Sequence, residues 1–199
     1  MGFWGTYIIG SSDQPLEALD ALKGDAQDVC WRRAGHDGWQ IIQIHRGPAG
    51  WSALPLPAPW EGTLVAIMEQ TQRPVLAITE LDEDGSQLIG YSPQAGRWGG
   101  WLNLEAILPH LDHRALPSVY EDDNGDYQVD DSEDFRALCQ QITDDLYRRV
   151  GPPAPQAADL AARWAREAGL APDPAAVLSA LESSQFTALL RGLGLASLT

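Results

Sequence analysis

Through the first 120 positions, apolar residues come in short runs separated by Gly, Pro and acidic turns. FWGTYII, from Phe3 to Ile9, is aromatic and β-branched and predicts an opening strand. Asp13 is suited to cap a helix with Pro15 in its first turn, and Leu16, Leu19 and Leu22 recur at helical spacing before Lys23-Gly24. Ala26 to Arg33 reads as a second short helical stretch. His36-Asp37-Gly38 marks a turn, and WQIIQIH from Trp39 to His45 predicts a strand.

Four prolines between Gly47 and Pro59 exclude a regular element there. Leu64, Ile67 and Met68 then place a helix within Trp60 to Gln72. Val75 to Leu81 predicts a strand, Asp82-Glu83-Asp84-Gly85 a hairpin turn, and Gln87 to Tyr91 the return. Trp98 to Leu104 supplies a third meander strand, and Glu105 to Leu111 a short helix broken at Pro109.

Beyond position 131 the period becomes helical throughout. Ser132 caps a helix with Glu133 and Asp134 in its first turn, where negative charge meets the positive end of the dipole. Its stripe is Phe135, Leu138, Cys139, Ile142, Leu146 and Val150, and Arg148 and Arg149 close it before Gly151-Pro152-Pro153. Three more helices follow: Ala157 to Ala168, one capped by Asp173, and Gln185 to Leu193. The pattern therefore predicts an α+β protein. A mixed or antiparallel sheet with a few helices spans 1–120, an acidic linker spans 121–131, and about four short helices at 132–199 dock on the first part.

Charge changes this picture at one place. Residues 121–134, EDDNGDYQVDDSED, hold eight of the 28 carboxylates and none of the 13 Lys and Arg, so this stretch carries −8 of the formal −15. Such a balance repels a phosphate backbone, which argues against nucleic acid as a partner, and it attracts a basic protein. No apolar run approaches the ~20 residues of a membrane span. The start, MGFWGTYIIGSSD, does not read as a signal peptide. It formally matches a myristoylation pattern, but bulky Phe3 and Trp4 fit a buried strand better. Cys30 and Cys139, far apart and at no metal-ligand spacing, suit a reducing cytoplasm in which each packs as a small hydrophobe.

Motifs for chemistry are missing. With Gly125 at the invariant glycine of a calcium loop, Tyr120 falls on the first ligand position and Asp131 on the closing glutamate, so the spacing fails. His110 and His113 have no third ligand in sight, no nucleophile elbow or phosphate loop occurs, and nothing calls for a cofactor or a metal. What stands out is tryptophan. Trp51, Trp60, Trp98 and Trp101 lie in Gly- and Pro-rich surroundings, where they serve either as core or as exposed anchors for a ligand.

These features favour an acidic interaction protein of the inhibitor, antitoxin or immunity type. Glu121, Asp122, Asp123, Asp126, Asp130 and Asp131 would steer a basic partner, and Trp51, Trp60, Trp98 and Trp101 would anchor it. The alternatives are a small-molecule-binding domain with a Trp-lined pocket, or an enzyme whose site is assembled from scattered residues.

Overall fold

The computed structural model describes residues 4–45, 60–81, 85–115, 117–121, 126–183 and 185–199, without the side chains of Trp4, Leu81, His110, His113, Tyr120 and Glu121. Among these residues, six strands form one sheet in the order β2-β3-β1-β4-β5-β6, every neighbouring pair antiparallel. They are β1 (Trp4–Ser11), β2 (Val29–Ala34), β3 (Trp39–Ile44), β4 (Val75–Leu81), β5 (Gly85–Ser92) and β6 (Gly96–Leu102). The β2–β3 pair is a hairpin, β4 to β6 a meander, and helix α1 (Glu61–Thr71) carries the chain from β3 across β1 to β4. The protein is α+β, as its pattern predicts.

Period-two alternation sends the two faces of the sheet to different helices. Ile9, Trp39, Ile41, Leu76, Ile78, Leu88, Trp98 and Leu102 point to α4 (Ala154–Glu167), α5 (Pro174–Glu182) and α6 (Phe186–Gly192). Ile8, Ile42, Ile44, Val75, Ala77 and Ile89 point to α1 and to the segment carrying Leu16, Leu19 and Leu22. Helices α2 (Leu104–Leu111) and α3 (Glu133–Arg149) share a third cluster around Trp101 at the β6 end.

Helix α4 approaches closely because its buried face is mostly alanine: Ala157, Ala158, Ala161, Ala162 and Ala165 beside Trp164. Trp164 is fully buried, stands 5.9 Å from Trp39 and 6.2 Å from Trp98, and donates its indole N–H to the Tyr91 carbonyl at 3.0 Å. The turn from α3 to α4 lies against β6, backbone on backbone. A Cβ on Gly99 would collide with the Val150 carbonyl, and one on Gly151 with the Gly99 carbonyl, so only glycine fits either position.

Several local expectations need correction. The Leu16–Leu22 segment is two 3-10 turns, Leu16–Ala18 and Asp20–Leu22. Leucines three apart suit a turn of three residues, and all three are buried without an α-helix. Asp13 caps nothing there; it pairs with Arg73 at 3.2 Å. The stretch from Ala26 to Arg33 is helical only over Ala26–Asp28 and becomes edge strand β2. An edge strand exposed on both faces has no alternation to betray it. Helix α2 runs on past Pro109 to Leu111. The Gly47–Pro59 segment and Asp82 to Asp84 lie outside the described residues.

The C-terminal helices follow their signals. Ser132 accepts a hydrogen bond from the Phe135 amide at 3.2 Å, and Asp173 accepts from Ala175 and Ala176 at 3.0 and 3.2 Å. Ile142, Leu146 and Val150 are buried as the α3 stripe requires. The acidic segment is not an extended linker. It contains a two-stranded ribbon, β7 (Val119–Glu121) paired with β8 (Tyr127–Val129), placed between α2 and α3 in the chain.

Candidate interaction surface

The ribbon is built by register. Val119 pairs with Val129 and the Glu121 backbone with Tyr127, so Val119, Tyr127 and Val129 share one face. Val119, Tyr127 and Val129 are 63%, 77% and 54% exposed. Apart from Trp31, they are the exposed large hydrophobic residues of the described surface. A two-stranded ribbon is marginal by itself in water, and this one keeps its apolar face uncovered.

Carboxylates flank β8 in the chain. Asp126 and Asp131 are exposed and Asp130 is half-buried. Asp130 and Asp131 also have local work. Asp130 accepts from the Ser132 amide at 3.0 Å, and hydrogen bonding from Ser132 holds its carboxyl below the usual range. The Asp131 carbonyl accepts from Arg136 Nε at 2.7 Å, while its carboxylate lies 3.9 Å from the same guanidinium. Glu121 belongs to β7 by its backbone, and Asp122 and Asp123 lie outside the described residues.

Trp60, Trp98 and Trp101 are not surface anchors. They are 2%, 3% and 4% exposed. The Trp60 indole donates to the Thr6 hydroxyl at 2.9 Å among the residues of the α1 face. Trp98 lies over Gly90, its partner on β5, where a Cβ would collide with the indole. Glycines around these tryptophans are therefore packing partners inside strands rather than signs of a loop. Trp51 lies outside the described residues.

Two grooves on the described surface are not walled by a set of tryptophans. A groove of about 290 Å³ between the end of α2 and α3 is lined by Leu111, Arg114, Leu138 and Asp145 among others, and by no tryptophan. Another of about 350 Å³ runs past Ser11, Asp37, Arg73 and Gly169 and touches Trp39 alone of the indoles. Its Arg73 is already engaged by the Ser11 hydroxyl at 3.0 Å and by Asp13.

Among the described residues no three His, Cys, Asp or Glu are grouped to hold a metal ion. The His110 and His113 side chains lie outside the description. Both cysteines are free thiols; Cys139 is half-buried on α3, whereas Cys30 is exposed on edge strand β2 and so does not pack as a small hydrophobe. No described helix is long and apolar enough to cross a membrane.

One group was invisible to sequence reasoning. Glu80, on the helix-covered face of β4, is half-buried, and burial pushes its carboxyl up to about 7. Nothing in LAITEL marks it, because its environment comes from strands far apart in the chain. No family model matches this protein, and neither a curated protein nor a solved structure does.

Proposed function

We propose that this chain is a partner-binding protein of the inhibitor or immunity type, which engages a basic polypeptide through its acidic ribbon. The observation that supports the reading is the uncovered face of Val119, Tyr127 and Val129, with exposed Asp126 and Asp131 close to β8 in the chain. Apolar area at the centre would supply affinity, and carboxylates at the rim would supply encounter rate and choice of partner. A basic amphipathic segment offers the complementary surface, and the −8 of residues 121–134 gives it a reason to arrive.

The test uses a defined probe. A Lys/Leu amphipathic peptide is titrated into 15N-labelled protein, with its Glu/Leu counterpart as control. Amide shifts confined to 117–131, weakened by added salt and by Val119→Ser with Tyr127→Ser, are expected. Shifts spread over the whole surface, or equal shifts with the acidic peptide, would sink the reading.

A further inference from the structure

The six-stranded sheet has two edges, and the chain closes one of them. Along β6, Trp98, Trp101 and Leu102 are buried, and the turn from α3 to α4 lies against Gly99. The other edge, β2, is open, with every residue from Cys30 to Ala34 exposed. Its register with β3 shifts between Val29 and Trp31 and is regular from Trp31 to Ala34, opposite Gln43 to Gln40.

One bond fixes the direction of its backbone groups. The Gly35 amide donates to the Trp39 carbonyl at 2.8 Å, and hydrogen-bonded pairs alternate along an antiparallel ladder. Arg33 and Trp31 therefore bond to β3, while Arg32 and Ala34 turn their N–H and C=O groups outward. The β1 side gives the same phase. There the Ser12 amide donates to the Gly38 carbonyl at 3.0 Å, so Gln40 and Ile42 bond to β1 rather than to β2. Among the described residues, no group bonds the outward amides and carbonyls of Arg32 and Ala34. An edge of this kind can accept a further strand.

The side chains select which strand. Trp31 and Arg33, two apart, share the face that carries Tyr7. Trp31 meets the Tyr7 ring edge-on at 6.5 Å and is 40% exposed. Arg33 is exposed, and among the described residues no carboxylate pairs with it. Arg32 lies on the opposite face, where Glu17 accepts from its guanidinium at 2.5 Å. Every pair in the sheet is antiparallel, and a strand added in that sense meets Arg33 first and Trp31 two residues later. A carboxylate at the first position and an apolar side chain at the second fit both. A second β2 does not fit, because two-fold pairing centred on Arg32 or Arg33 sets arginine directly against arginine.

We infer that β2 is a docking edge for an extended segment of another protein, Glu-x-Val or Asp-x-Ile in pattern, which joins the sheet as a further strand. Main-chain hydrogen bonds at Arg32 and Ala34 supply affinity, Arg33 supplies the counter-charge, and Trp31 packs on the apolar residue. The arginines that keep copies of this edge apart also choose the strand it admits. The site shares no residue with the ribbon and stands whether or not a basic partner binds there.

Acetyl-Thr-Glu-Thr-Val-Thr-amide is titrated into the 15N-labelled full chain. Its Lys-for-Glu counterpart and an analogue N-methylated at the central threonine are the controls. The first peptide should shift the Arg32 and Ala34 amides and the Trp31 indole. The Lys counterpart should bind about three- to tenfold more weakly, and the N-methylated analogue about tenfold or more. Arg33→Gln should remove the preference for Glu over Lys. Ala34→Pro takes away an outward N–H and puts a ring in the path of the incoming strand, yet breaks no bond to β3. It should abolish binding with the β1 and β3 resonances in place, and should that variant unfold, Arg33→Gln decides alone. In the free protein the Arg32 and Ala34 amides should exchange with solvent much faster than that of Arg33. Slow exchange at Arg32 and Ala34, no response to the first peptide, equal binding of either control, or undiminished binding to a folded Ala34→Pro would overturn the assignment. Movement of the β2 amides on dilution without peptide would also overturn it, giving the edge to a second copy of this chain.

Discussion

Replacing Glu80 by Gln should stabilise the protein at neutral pH and leave it unchanged in mild acid. An ordinary glutamate releases its proton at 4.5, whereas burial holds this one up to about 7. Between those values the unfolded chain has lost a proton that the folded chain still keeps. Stability from this group is therefore full below 4.5, falls as pH rises through the window, and is flat again above about 7. Taken at face value, that interval is worth roughly 3 kcal/mol. Solvent screening of a half-exposed carboxylate reduces it to about 1–2 kcal/mol. For a chain of this length each kcal/mol moves the thermal midpoint by about 2–4 °C. The variant should thus melt about 2–8 °C higher than the parent near pH 8, with the difference vanishing near pH 4.5. Thermal unfolding followed by circular dichroism at a series of pH values measures it, since every other titrating group cancels in the difference. A gap that stays constant with pH, or a variant that melts lower near pH 8, would refute the reasoning.

Other substitutions probe the scaffold. Ser132→Ala removes the cap of α3 and should cost about 1 kcal/mol, seen as faster amide exchange in its first turn while the sheet stays protected. Gly151→Ala drives a Cβ into the Gly99 carbonyl, where backbone meets backbone, and should lower the urea midpoint by the equivalent of about 2 kcal/mol or more. Trp164→Phe leaves the Tyr91 carbonyl without its indole donor and vacates volume beside Trp39 and Trp98. A loss of about 2 kcal/mol in guanidinium unfolding is expected.

The sequence is most readable where a signal is local. Strands β1, β3 and β4, helix α1 and the caps at Ser132 and Asp173 are each specified by a few adjacent residues. Edge strand β2 was not, because pairing with β3 alone determines it and both its faces meet solvent. Trp60, Trp98 and Trp101 read as surface anchors in the sequence because glycine and proline mark loops on average. Here Gly90, Gly99 and Gly100 thin the sheet so that indoles and helices can close on it. The exposed apolar face of the ribbon depends on a pairing across 122–125 that no periodicity of three residues can announce. The surroundings of Glu80 come from β1 and β5, which pair with β4 from distant parts of the sequence, and no window along the chain contains them.

The ribbon leaves the body and returns to it at one point, since the Asp130 amide donates to the Ser118 carbonyl at 2.8 Å. Its two ends are thus already joined by a bond that needs nothing from the strands beyond. In topological terms residues 119–129 are a cassette: they can be excised, lengthened or exchanged for another hairpin without re-threading the sheet or moving α3 from its cap. The ribbon and the six-stranded sheet are therefore separable parts of this chain, and one can drift while the other stays put.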